Sequence, residues 1–299
     1  MEAIRVPGYW IHKIGSNVKV GSPPMSGEKV VYNLHGGAYV RCSAHPSDMT
    51  ANIPRGILKF AESVHRTFSV EYRLSSTRPF AVANPFPSAL IDAIAGYSYL
   101  VNDVGFSPTD IIVTGDSAGG NLAHALTRYL VENQNSSIDK LPPPPGGLVL
   151  SSPWCDASDS HDVPGSSTFI FRTTDIITPD HSSFAKRAWL GPHGLQEANI
   201  NRYISPACRY PSLSIDFKGF PRTLITAGGV EILVDQIRLM RARMVDDLGE
   251  GDGVKGDEGK VQYFEEPDAL HDYAIFKWHE PERSDTLKEI ARWIAVATS

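Results

Sequence analysis

The stretch IIVTGDSAGGNLAHAL, residues 111–126, joins a short run of β-branched apolar residues to a helical pattern through a turn crowded with small side chains. Strand, glycine-flanked serine and amphipathic helix, in that order, are the context in which G-x-S-x-G forms a nucleophile elbow. Ser117 falls at the turn, where a strained backbone lifts its hydroxyl above the strand ends. Gly115 and Gly119 are needed there because a side chain at either would collide with the turn. The helix that follows starts with unpaired N–H groups, and its dipole favours negative charge developing beside the hydroxyl. GDSAG alone is also what an ordinary glycine-rich helix start looks like, so the weight falls on what the chain places around it.

Outward from this turn, short apolar runs recur with helical spacing between them. The predicted strands are KVVYNL (29–34), TFSVEY (67–72), IIVT (111–114), LVLS (148–151), TLITA (223–227) and VQYF (261–264). Such runs, alternating with helices, predict an α/β fold built on a mostly parallel sheet. Leu90, Ile94, Tyr97 and Val101 share a helical face, as do Leu122, Ala125, Leu126, Tyr129 and Leu130, and Leu287, Ile290 and Ile294; these read as packing faces. LPPPPGG (141–147) reads as a stiff connector. GEGDGVKGDEG (249–259) lacks the spacing and closing Glu of a calcium loop and reads as a mobile surface loop. Residues 152–206 are too long for a loop and hold no clear strand, which predicts a helical insertion over one end of the sheet, a candidate lid. The expectation is one domain over residues 1–299, with a short N-terminal segment (1–28) and a cap-like insertion at about 152–206.

Composition narrows the function classes. The chain has 299 residues, is 41% hydrophobic and 21% charged, and carries a formal net charge of −6 without long charged runs, which argues against nucleic acid as a partner. The N-terminus has no uninterrupted apolar core of a signal peptide, and no apolar run approaches the ~18 residues of a membrane span. A soluble, cytoplasmic protein with no stable membrane anchor is expected. Cys42, Cys155 and Cys208, odd in number and far apart, suit reduced thiols. The sequon at Asn135 would matter only in a secreted chain.

The chemistry around Ser117 needs three further parts. Acyl transfer needs N–H donors aimed at an oxyanion, and the glycine loop His35-Gly36-Gly37-Ala38-Tyr39 after a strand lets backbone amides approach that closely. Within this loop the candidate donors are Gly36, Gly37 and Ala38, joined by Ala118 after the serine. His35, at the strand end, reads as a brace for the loop. A serine hydroxyl also needs a base, and the base a carboxylate. In strand–elbow–helix architectures these follow in the order Ser, acid, His, on loops after later strands. EEPDALHDY places His271 after the last predicted strand, and GGVEILVDQ offers Glu231 and, one helical turn on, Asp235. Of the 10 histidines, His271 alone has this order and loop; His12, His45, His65, His124, His161, His181, His193 and His279 read as surface or packing residues.

Together HGGAY, YRLSS, GDSAGGNLA, SSPWCD and the E-I-L-V-D and L-H-D-Y runs resemble the hormone-sensitive lipase family of α/β-hydrolases, from about residue 29 to the end. The resemblance implies an eight-stranded, mostly parallel sheet with helices on both faces and a cap over the site. It implies hydrolysis of short- to medium-chain carboxylic esters, with no metal or organic cofactor and a small-molecule ester as partner. Many relatives dimerise through the sheet edge, so a homodimer stays open. Three departures stand out. The third glycine of HGGG is Ala38, whose methyl fits where the local φ is negative. The family's acid position falls on Glu231, with Asp235 as the alternative acid and Asp268 behind it. Only residues 1–34 precede the HGG loop, so the cap should be reduced and the pocket more open. The family's YRL arginine, Arg73, reads as an ion-pair partner for Asp92, and Asp116 as a hydrogen-bonding brace of the elbow. Pocket walls are expected from the insertion, including Phe169, Phe171, Phe184 and Trp189. The implied activity is that of a serine carboxylesterase. An amidase, lactonase or natural-product deacylase would use the same triad, and a receptor of the same fold would have lost it, whereas Ser, acid and His all persist here.

Overall fold

Alternation along each strand decides the layers. In the computed structural model, which describes residues 2–136, 141–255 and 259–296, Val30, Tyr32 and Leu34 enter one apolar cluster while Val31 enters another. Ile111 and Val113 against Ile112, and Leu148 and Leu150 against Val149, repeat the division, because side chains on a strand point to opposite faces in turn. The strands are β1 (Gly8–His12), β2 (Lys29–Leu34), β3 (Val64–Val70), β4 (Ile111–Asp116), β5 (Gly147–Ser151), β6 (Thr223–Gly228) and β7 (Val261–Glu266). They form one sheet in the order β1-β3-β2-β4-β5-β6-β7, parallel throughout except that β1 runs antiparallel to β3.

Helices α1 (Asn52–Phe60) and α7 (Glu282–Val296) cover one face of the sheet. Helices α2 (Ser88–Ser98), α3 (Ala118–Asn133) and α6 (Val234–Leu248) cover the other. The expected α/β-hydrolase architecture is therefore present, with Leu90, Tyr97, Leu122, Leu126, Leu287 and Ile290 buried as the helical spacing required. The strand number is corrected: seven strands occur among the described residues, not eight, because the short segment before β2 supplies one antiparallel strand. That strand, β1, was not foreseen, and β3 begins at Val64 rather than Thr67.

Between β5 and β6 lie α4 (Ser167–Ile170) and α5 (Pro179–Leu190) with 3₁₀ turns after them, and no strand among these residues. Residues 141–145 have no regular structure and pack on α2 through Tyr97 Oη, which donates to the Pro143 carbonyl at 2.9 Å. Of the 249–259 loop, residues 256–258 lie outside the described residues; its Gly251 amide bonds to the Val261 carbonyl at the start of β7. The three cysteines are free, and no described helix is long and apolar enough to cross a membrane.

Candidate active site

The site begins at the end of β4. Ser117 has φ 51° and ψ −118°, a strained conformation for a residue with a side chain, between the last strand residue and the first turn of α3. A Cβ on Gly119 would overlap the Leu34 carbonyl at the end of β2, so this glycine serves the close approach of helix to strand rather than the turn itself. The strain is held in place by neighbouring backbone: Ser117 N–H donates to the Ser151 carbonyl at 2.9 Å, and Trp154 N–H donates to the Ser117 carbonyl at 2.9 Å.

His271, on the loop after β7, brings Nε2 to 2.9 Å from Ser117 Oγ. Its Nδ1 lies 3.5 Å from Glu231 Oε1. Glu231 is wholly buried, and its other oxygen accepts from the Ser152 hydroxyl at 2.6 Å and the Gly228 amide at 2.9 Å. Burial raises the Glu231 pKa, while hydrogen bonds from His271, Ser152 and Gly228 pull it back. Asp235, in the first turn of α6, faces elsewhere: its Oδ2 accepts from Ser167 N–H at 2.8 Å and its own amide donates to Ser167 Oγ at 3.3 Å, fastening α4 to α6. Asp268 is exposed. Of the candidate acids, Glu231 is the one brought to the imidazole.

The glycine loop needs one correction. Gly36 N–H donates to Asp116 Oδ2 at 2.9 Å, so that amide is spent on bracing the elbow and is withdrawn from the oxyanion donors. The amides of Gly37 and Ala38 donate to nothing among the described residues, and both residues line the cavity that holds Ser117. Ala118 opens α3, where an N–H has no intrahelical partner. Ala38 has φ 55°, not the negative angle expected, so its methyl costs on the order of 1 kcal/mol in the left-handed region. Tyr39 secures the loop: its hydroxyl donates to Asn121 Oδ1 at 2.9 Å and its ring stacks on Trp189 at 4.2 Å. His35 sits behind, fully buried and stacked on Tyr72. Arg73 pairs with Asp92 at 2.8 Å, away from the site.

Four residues of the site were not foreseen. Asp272 places Oδ2 at 3.2 Å from His271 Nε2, the nitrogen that also faces Ser117. Its backbone is left-handed, φ 54°, and its amide donates to Ser152 Oγ at 3.3 Å. Ser152 thus links the loops carrying Glu231 and His271. Asp175, from the insertion, accepts from the amides of Ile232 (2.7 Å) and His271 (3.1 Å), one with each carboxylate oxygen. His181, read above as surface or packing, lines the cavity. The sequence signal for Asp272 was its place beside His271; Asp175 and His181 had none, since only folding brings the insertion over the sheet. Burial alone would lower the His271 pKa, but the Asp272 charge and hydrogen bond, followed by Glu231, hold it well above the ordinary histidine value.

The cavity at Ser117 measures about 440 Å³, with Trp154, Ile177, Leu233 and Phe276 among its apolar walls. A second cavity of about 790 Å³ shares Ile177, Ser182 and Ile232 with it. The expected aromatic walls are corrected: Phe169 lines the second cavity, Phe171 packs against the core, Phe184 meets Phe80 edge to face, and Trp189 is buried behind Tyr39. The wall from the insertion is instead built of Ile176, Ile177, His181, Ser182 and Ala185, and it leaves Ser117 only 8% exposed rather than open.

Comparison with known proteins agrees with this geometry. Residues 31–274 match the family described as alpha/beta hydrolase fold. Esterase LipU of Mycobacterium tuberculosis is 27% identical over 90% of this chain and 78% of its own, and an esterase of Acinetobacter venetianus is 29% identical over 73% of this chain. The chain spans only 62% of that Acinetobacter protein. A crystal structure of a hormone-sensitive lipase from a metagenome library superposes with a TM-score of 0.69 at 25% identity, covering 98% of this chain and 82% of the other. The chain belongs to the hormone-sensitive lipase family of α/β-hydrolases, the carboxylic ester hydrolases.

Proposed function

We propose that this chain is a serine carboxylesterase acting on short- to medium-chain esters through an acyl-enzyme, in one domain whose insertion at about 152–206 caps the site. The observation that carries this reading is the 2.9 Å approach of His271 Nε2 to Ser117 Oγ, with Glu231 on the other ring nitrogen. Nε2 takes the hydroxyl proton as Oγ bonds to the ester carbon, and the carbonyl electrons move onto oxygen. The amides of Gly37, Ala38 and Ala118 receive that oxyanion, worth about 3–4 kcal/mol per donor when one is removed. Collapse breaks the carbon–alkoxy bond, and the alkoxide leaves with the proton from Nε2. Water, deprotonated by His271, then repeats the attack and releases the acid. Glu231 holds Nδ1–H and offsets the charge on the imidazolium. The cavity of about 440 Å³ suits a modest acyl group.

A three-variant panel on p-nitrophenyl butyrate tests it. Ser117→Ala should abolish turnover, and retained hydrolysis would overturn the reading. Glu231→Gln should lower kcat by about 10³–10⁴ and Asp235→Asn far less; the reverse order would move the acid to Asp235.

A further inference from the structure

Asp272 does something that the three-residue relay does not require. A base histidine needs a free Nε2 facing serine and a carboxylate at Nδ1; here a second carboxylate stands 3.2 Å from Nε2 itself. Its position is specified rather than incidental. The backbone at Asp272 is left-handed, a conformation that costs a side-chain-bearing residue free energy, and the Ser152 hydroxyl anchors its amide. The residue is 7% exposed and lines the cavity of Ser117, and its Oδ1 is buried with no protein partner among the described residues.

Asp116 repeats the pattern. It is 1% exposed and lines the same cavity; one oxygen holds the Gly36 amide and the other has no partner among the described residues. No hydrogen bond or ion pair joins either carboxylate to Arg41, the arginine on the cavity wall, which is exposed. Buried acceptors left unsatisfied are costly, on the order of 1–3 kcal/mol each, and they persist where a ligand supplies the donor. Around them the wall is mostly apolar: Met49, Trp154, Ile177, Leu233, Ile275 and Phe276 offer an acyl chain contact, with Thr50, His181 and Ser182 as further polar side chains on the lining.

The side of the cavity follows from the chemistry. The alkoxide takes its proton from Nε2, so its oxygen must come within hydrogen-bond reach of that nitrogen. Asp272, beside Nε2, therefore stands next to the alcohol half of the ester and not the acyl half. We infer that Asp272 is the specificity-determining residue for the leaving group, and that the favoured substrates are esters of alcohols bearing a second hydroxyl close to the ester oxygen, as in a monoacylated polyol or sugar. That hydroxyl donates to the Asp272 carboxylate, with the Asp116 carboxyl group nearby on the same cavity. The assignment rests on the esterase reading above and deepens it.

The test uses three butyrates: propyl and 2-hydroxyethyl, which are nearly equal in size, and the larger, cationic 2-(dimethylamino)ethyl. Each kcat/KM is divided by the rate of hydroxide hydrolysis of the same ester, which removes leaving-group reactivity. Ratios between esters within one protein do not depend on the fraction folded. The wild type should prefer 2-hydroxyethyl over propyl butyrate by ~10-fold or more, because a site built to accept a hydroxyl proton rejects the analogue lacking it. Asp272→Leu should bring that ratio to near one, and Asp272→Asn should leave part of it. Equal rates in the wild type, or a ratio that survives Asp272→Leu, would overturn the assignment while leaving the esterase reading intact. Fastest turnover of the dimethylaminoethyl ester would overturn the hydroxyl in favour of a cation. No turnover of any of the three would overturn both.

Discussion

His271 Nε2 has two claimants, Ser117 Oγ at 2.9 Å and Asp272 Oδ2 at 3.2 Å, and a ring nitrogen serves one of them at a time. As a neutral base it accepts the serine proton; as an imidazolium it donates to Asp272. Burial works against the charged ring, but Asp272 and then Glu231 flank it, and their charges and hydrogen bonds outweigh the loss of hydration. The folded pKa is raised, and the charged form is the inactive one. Activity is therefore lost below the raised pKa and gained as pH climbs through it. The acid limb of kcat/KM on p-nitrophenyl butyrate should lie above the ordinary histidine range; a limb at about 6.5 or below would contradict that balance. Ser117 and His271 were legible in the sequence because glycine spacing and chain order constrain them. Asp272 was visible but had no assigned part, since its role depends on a left-handed backbone that no residue pattern announces.

At the scale of elements, the insertion is tied to the loops carrying Glu231 and His271 by the hydroxyls of Ser152 and Ser167 and by one carboxylate. Asp175 accepts from the amides of Ile232 and His271, each one residue from or within the proposed relay. Asp175→Ala should reduce kcat/KM about tenfold while leaving the bulk of the fold in place, since each hydrogen bond to a charged acceptor contributes about 1.5–3 kcal/mol locally. Hydrogen exchange at those two amides is the check: unchanged protection would remove Asp175 from the support of the site. Strand prediction succeeded wherever apolar runs were bounded by turn residues, as in β4, β5 and β6. It failed at the start of β3 because Arg66 interrupts the apolar pattern, and the structure buries that charge against Glu28 at 2.9 Å. It missed β1 because Gly8–His12 is a half-buried edge strand whose partner, β3, lies far along the chain.

For the whole molecule, that same ion pair joins the N-terminal segment to the sheet. Arg66 also donates to the Ser22 carbonyl at 2.9 Å and lies over the rings of Trp10 and Phe106, each at 5.0 Å. Glu28→Gln leaves a buried guanidinium without its counter-charge and should cost about 3–5 kcal/mol in urea unfolding; a loss under ~1 kcal/mol would show the pair to be dispensable. The overall class was legible because strands and helices alternate. The sheet order was not, because the pairing of β3 outside β2 is set by the crossover through α1 rather than by sequence proximity. One consequence concerns assembly. Ser117 rides on a central strand, whereas His271 follows the edge strand β7, 154 positions further along the chain. A folding intermediate that has wound β4 and α3 already displays the elbow, yet it has an inert alcohol until the last strand docks. Covalent labelling by a fluorophosphonate is thus a clock for completion of the sheet, and its rate during refolding reads the docking of β7 and the loop behind it.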